Sequence, residues 1–113
     1  MKLLLEDLFR YRQYTDRPPE YCYDRYTGRI CRIKESCKKE ERFLPLFRID
    51  ARRIESRFLS LRKEAPPRQK TNCFGEQMQR RGLWEAWWNY YKNEVYQVAR
   101  TWCDVHAVPY QER

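Results

Sequence analysis

From Trp84 onward, large apolar residues recur at intervals of four and three: Trp84, Trp88, Tyr91, Val95, Val98 and Trp102. That spacing is helical, and it predicts one long helix over about residues 83–106. Trp87, Tyr90 and Ala99 widen the stripe, so the helix is expected to be buried on more than one side. Whatever else the chain folds into must cover that aromatic helix. Pro109 has no N–H and blocks extension past His106-Ala107-Val108.

The upstream segments supply the cover. Leu4, Leu5, Leu8 and Phe9 fall on one stripe and predict a helix over 3–14, with Glu6 and Asp7 early and Arg10 and Arg12 late, the order that suits the helix dipole. Pro18-Pro19 ends it. Residues 20–34 read as a β-hairpin around Asp24-Arg25-Tyr26-Thr27-Gly28, because Asp opens such turns and Gly takes the positive-φ position. If Asp24 faces Arg29, then Tyr23 faces Ile30 and Cys22 faces Cys31, unless a bulge shifts the register. Two facing cysteines oxidise only where geometry permits. In a cytosol they are expected to serve as small apolar side chains.

Phe43, Leu44, Leu46, Phe47 and Ile49 predict a third strand over 42–49, with Pro45 favouring an edge or a bulge. Asp50 is a natural N-cap for a helix over about 51–63 with Ile54, Phe58 and Leu61 on one side. Pro66-Pro67 ends that helix, and a short helix over about 74–81 stops near Gly82. With 113 residues there is material for one core and not two. The expectation is a single α+β domain spanning 1–113: a short N-terminal helix, a β-hairpin plus third strand forming a small antiparallel sheet, then two or three helices ending in the long aromatic one.

Asp24, Thr27 and Gly28 match an Asp-x-x-Thr-Gly hairpin turn, and Trp84 to Tyr91, Trp102-Cys103 and His106 to Tyr110 form a Trp-bearing terminal helix and tail. In these respects the chain resembles a bacterial family of uncharacterised (UPF-type) small proteins. The resemblance covers about two thirds of the chain, and its motifs are structural. It lacks the family's terminal Gly, and it carries Lys38 and Lys39 beside Glu40 and Glu41 where the family tends to be acidic. The resemblance implies the fold and no activity.

Several classes of function are disfavoured by composition. No stretch approaches the roughly 20 apolar residues of a membrane span, and Met1-Lys2-Leu3-Leu4-Leu5-Glu6 is too short in its apolar run for a signal peptide. Five cysteines at irregular spacing, Cys22, Cys31, Cys37, Cys73 and Cys103, argue for reduced thiols in a cytoplasm, that of a bacterium or a phage-infected host. The single histidine, His106, lies three residues after Cys103. That spacing allows a zinc pair or a Cys–His nucleophile in principle. A buried cysteine and a helix-capping histidine are the expected roles. The three glycines are too far apart for a phosphate loop. No enzyme, cofactor or metal is expected.

The net charge of +8 comes from 24 basic and 16 acidic residues. Residues 50–81 hold 9 basic and 4 acidic residues, a net +5, whereas residues 82–113 hold 3 and 4, a net −1. Arginines also interleave with tyrosines near the hairpin. Arg binds anions bidentately and stacks on rings, and Tyr and Arg are enriched both on base-stacking surfaces and at protein interfaces. Two candidate surfaces follow. The hairpin surface comprises Arg12, Arg17, Tyr21, Tyr23, Arg25, Tyr26, Arg29 and Arg32. The basic helix and loop comprise Arg52, Arg53, Arg57, Arg62, Lys63, Arg68 and Lys70. The expected function is non-enzymatic binding of an acidic partner. That partner is either a host protein bound by a phage- or mobile-element-type inhibitor, or a nucleic acid or nucleotide.

Overall fold

A computed structural model describes residues 2–34, 41–66 and 73–112. In chain order the elements are β1 (Leu3–Leu4), α1 (Leu5–Arg10), β2 (Gln13–Tyr14), β3 (Tyr21–Asp24), β4 (Arg29–Arg32), β5 (Phe43–Pro45), β6 (Arg48–Ile49), α2 (Ala51–Leu61), α3 (Phe74–Arg80), α4 (Trp84–Val105) and β7 (Tyr110–Gln111). The α+β class, the small antiparallel sheet and the long aromatic terminal helix are those the sequence pattern predicts.

The residues group into two units, Met1–Ile49 with Val95–Arg113, and Asp50–Glu94. In the first, β3 is the central strand of a three-stranded antiparallel sheet ordered β4-β3-β5. The hairpin register is the unbulged one: Asp24 opposite Arg29, Tyr23 opposite Ile30 and Cys22 opposite Cys31. Pro45 lies on the edge strand β5, opposite Cys22, where its missing N–H breaks no ladder bond. The core gathers Leu5, Leu8, Tyr23, Leu44, Phe47, Val95, Ala99 and Trp102, all buried. Trp102 meets Tyr23 and Phe47 edge-on, with ring centroids 6.2 Å away in each case. Its indole Nε1–H donates to the Pro45 carbonyl at 3.1 Å.

Two segments depart from the sequence expectation. The N-terminal helix is six residues long rather than twelve. Leu3–Leu4 pairs in parallel with Tyr110–Gln111, and Gln13–Tyr14 pairs in parallel with Arg48–Ile49. Tertiary pairing thus takes both ends of a stretch whose local pattern is helical. The anticipated third strand likewise divides. Its first part joins the sheet through β5, and its last two residues form β6 on a different partner. Leu46 and Phe47, buried between the two, make the turn from one to the other.

The second unit holds α2, α3 and the first half of α4. Asp50 caps α2, its carboxylate accepting from the Arg53 N–H at 3.2 Å. Ile54, Phe58 and Leu59 are buried, while Leu61, at 66% exposure, points outward. Phe58 and Phe74 both pack on Trp87, with centroids 5.3 Å and 4.6 Å away. The buried line of α4 therefore runs through Trp87, Tyr91, Val95, Ala99 and Trp102. Trp84, 44% exposed, stacks on Trp88 at its margin.

Candidate binding surface

The hairpin tip is held from within. Asp24 is buried, with one carboxylate oxygen accepting from the Tyr26 N–H and the other from Arg42 Nη2, each at 2.9 Å. Gly28 donates its N–H to the Asp24 carbonyl at 2.8 Å and sits at φ 71°, the conformation for which glycine is suited. Arg25 donates its N–H to the Arg42 carbonyl, also at 2.8 Å, which extends the β3–β5 pairing into the turn. Burial on its own would raise the Asp24 carboxyl. The Tyr26 N–H, the Arg42 guanidinium and the Thr27 hydroxyl together hold it below its usual value.

This anchoring projects two side chains outward. Tyr26 is 79% exposed, and the Arg42 guanidinium lies 5.0 Å from its ring centroid. Arg25 is exposed beside it. A cleft of about 440 Å³ opens here, lined by Arg25, Tyr26 and Thr27 from the turn and by His106, Ala107 and Pro109 from the end of α4. A second hollow of about 520 Å³ lies by Lys2, Asp7, Arg10, Tyr11 and Arg29.

The other hairpin candidates are spread out. Arg29 and Arg32 are exposed on β4, and the Arg32 guanidinium lies 5.9 Å from the Tyr21 ring. Tyr21 is half-buried and packs edge-on against Tyr11 at 5.0 Å. Tyr23 belongs to the core beside Trp102 and, though nearly buried, contributes to the lining of the cleft. Arg12 turns back on α1, its guanidinium 4.3 Å from the Phe9 ring and donating to the Phe9 carbonyl at 3.0 Å. Arg17 is exposed beyond β2, and its carbonyl accepts from Arg48.

In the second unit Arg52, Arg53, Arg57, Arg62 and Lys63 are all exposed. The Arg62 guanidinium lies 5.5 Å from the Phe58 ring. Arg68 and Lys70 lie outside the described residues. The hairpin and the basic helix belong to different units, so each is a surface in its own right.

Cys103 is fully buried, and burial, then the charge of Asp104, pushes its thiol up to about 11. A thiol in that state is not a thiolate at neutral pH. His106 is exposed and directs its ring towards Trp102, at 5.3 Å. Among the described residues, no group of three or more His, Cys, Asp or Glu side chains could hold a metal, and no helix is long and apolar enough to cross a membrane.

Two contributors escape a reading of the sequence. Arg42 is one, because nothing local links it to Asp24, 18 residues away. Gln13 is the other: it is buried and its Oε1 accepts from the N–H groups of Glu20 and Tyr21, at 2.6 and 2.9 Å, tying down the entry to β3. No family model, no curated protein and no solved structure matches the chain.

Proposed function

We propose that this chain is a non-enzymatic binding protein that engages an acidic protein partner through its hairpin tip, in the manner of a small inhibitor acting in a cytoplasm. The observation that carries this reading is the anchored projection of Tyr26 and Arg25. Tyr and Arg are the side chains that most often dominate protein interfaces. Holding them in place beforehand lowers the entropy cost of binding. The ion pair between buried Asp24 and half-buried Arg42 supplies that preorganisation, and Arg25 gives the cleft a cationic side chain suited to carboxylates.

Affinity capture with the wild-type chain and with Arg25→Ala/Tyr26→Ala tests the proposal. The expected result is a nuclease-resistant complex with one acidic protein, weakened at least tenfold in the double variant. A complex that survives the double change moves the interface off the tip. A captured species that disappears on nuclease treatment favours nucleic acid instead.

That second reading has its own observation in the other unit. Five exposed cations lie on and just after α2, and the Trp84–Trp88 stack carries Lys92 5.8 Å from the Trp88 ring. Basic residues beside exposed rings suit single-stranded nucleic acid. Such binding would weaken steeply as salt rises, and Arg53→Ala/Arg57→Ala would flatten that slope while Arg25→Ala/Tyr26→Ala would not.

A further inference from the structure

Cys22 and Cys31 face each other across β3 and β4, with their sulfurs 3.5 Å apart. Directly opposed residues of an antiparallel pair have Cα atoms about 4.5–5.5 Å apart, inside the roughly 4.4–6.8 Å that a disulfide spans. Closing the sulfurs to the ~2.05 Å of a bond needs a movement of about 1.5 Å, which side-chain torsion can supply. The two thiols also differ in access. Cys22 is 3% exposed on the central strand, whereas Cys31 is half-buried on the edge strand.

We propose that Cys22 and Cys31 form a site of reversible oxidative modification, a dithiol that low-molecular-weight disulfides close into a cross-strand disulfide. Cys31, the accessible thiol, loses its proton and attacks one sulfur of the small disulfide. The S–S bond of the reagent breaks, and the first small thiolate leaves. Cys22 then gives up its proton and attacks the Cys31 sulfur, expelling the second small thiolate. Each departing thiolate takes up one proton. The two cysteines lose two electrons and two protons, and the reagent is reduced to two small thiols. The product locks the two strands that carry Arg25 and Tyr26. The inference rests on hairpin geometry and is independent of what the tip binds.

Treating the full chain with oxidised glutathione, blocking remaining thiols with an alkylating reagent and measuring the intact mass tests the proposal. Before alkylation the expected species is lighter than the reduced protein by two hydrogen atoms and retains no glutathione, and after alkylation it carries two labels fewer than the reduced protein treated in the same way. Trypsin cleaves at Arg25 and Arg29, between the two cysteines, so their peptides should stay joined until reduced. Cys31→Ser should lose the closed species, and Cys22→Ala should stop at a glutathione adduct on Cys31. Peptide mapping of the wild-type chain decides the matter even where a variant folds poorly. A stable glutathione adduct on wild-type Cys31, a cross-link mapped to another pair, or no reaction in excess reagent would each overturn the assignment.

Discussion

Arg42 reaches the Asp24 carboxylate at 2.9 Å while lying 5.0 Å from the ring of Tyr26. One guanidinium therefore neutralises the buried acid that shapes the turn and also supports the ring that the turn projects. The Asp24 carboxyl is held below its usual value. Its contribution to stability is accordingly present above the unfolded value of about 3.9 and is lost as pH falls through the lower, folded one. Thermal melts of the wild type should drop over that acid range, and Asp24→Asn should flatten this limb while lowering the midpoint at neutral pH. An unchanged acid limb in Asp24→Asn would show that the pair does not hold the turn.

Trp102 joins the sheet to the second half of α4 through two edge-on ring contacts and one hydrogen bond. Truncating it removes the ring contacts, leaves a cavity, and strips the Pro45 carbonyl of its donor. Trp102→Ala should cost about 3–5 kcal/mol, and Trp102→Phe less, since it keeps an aromatic ring while losing the N–H. Urea denaturation with the slope held fixed measures both. A cost under about 1 kcal/mol for the Ala variant would mean the core closes over the gap.

Alkaline stability follows from Cys103. Its thiol titrates at about 11 in the fold, against 9.0 for an ordinary thiol. Because the folded value is raised, the contribution is complete below pH 9 and is lost as pH rises from about 9 to 11. Tyr23, whose hydroxyl is also raised by burial and by the nearby charges of Cys103 and Asp24, acts in the same direction. Cys103→Ala should reduce the fall in unfolding free energy over that range by on the order of 2 kcal/mol. At neutral pH a thiol reagent should label the exposed Cys73 well ahead of Cys103.

The hairpin was legible because its determinants are local. Asp24 and Gly28 define the turn, and once their roles are set the register places Cys22 opposite Cys31. The helices beginning at Ala51 and Trp84 were legible for the same reason, through the Asp50 cap and the aromatic period. Pairings of two residues each, such as Leu3–Leu4 with Tyr110–Gln111, have no local signature, since their hydrogen bonds join segments far apart in the chain. The same limit applies to the candidate site. An Arg/Tyr pattern marks the hairpin, but it cannot separate Tyr23, which packs on Trp102, from Tyr26, which faces solvent. That distinction depends on where α4 lies, as does the approach of His106 to the turn.

Gln13 is a buried amide that does the work of a backbone strand. Its Oε1 serves two N–H groups at the start of β3, and its Nε2 reaches the Tyr21 carbonyl at 3.5 Å. Gln13→Leu keeps much of the volume and leaves the two N–H groups without their acceptor. A loss of about 1–3 kcal/mol is expected. Faster amide exchange at Glu20 and Tyr21 should accompany it, and unchanged exchange would show that water replaces the amide without cost.

The end of α4 reverses through Ala107 at φ 55°. The Val108 N–H donates to the Cys103 carbonyl at 2.9 Å and the Ala107 N–H to that of Asp104 at 3.4 Å, the two bonds of a Schellman cap. Glycine is the usual occupant of the left-handed position, and a residue with a Cβ costs about 1–2 kcal/mol there. Ala107→Gly relieves that cost but adds freedom to the unfolded chain, an opposing effect of about 0.4–1 kcal/mol. The net expectation is a gain of up to about 1.5 kcal/mol, read as a higher urea midpoint at constant slope. Ala107→Val, whose branched side chain tolerates positive φ least, should move the midpoint the other way. Because Ala107 lines the cleft beside Arg25 and Tyr26, the glycine variant also separates stability from binding. If the tip is the interface, partner affinity should hold in Ala107→Gly and fall in Arg25→Ala/Tyr26→Ala.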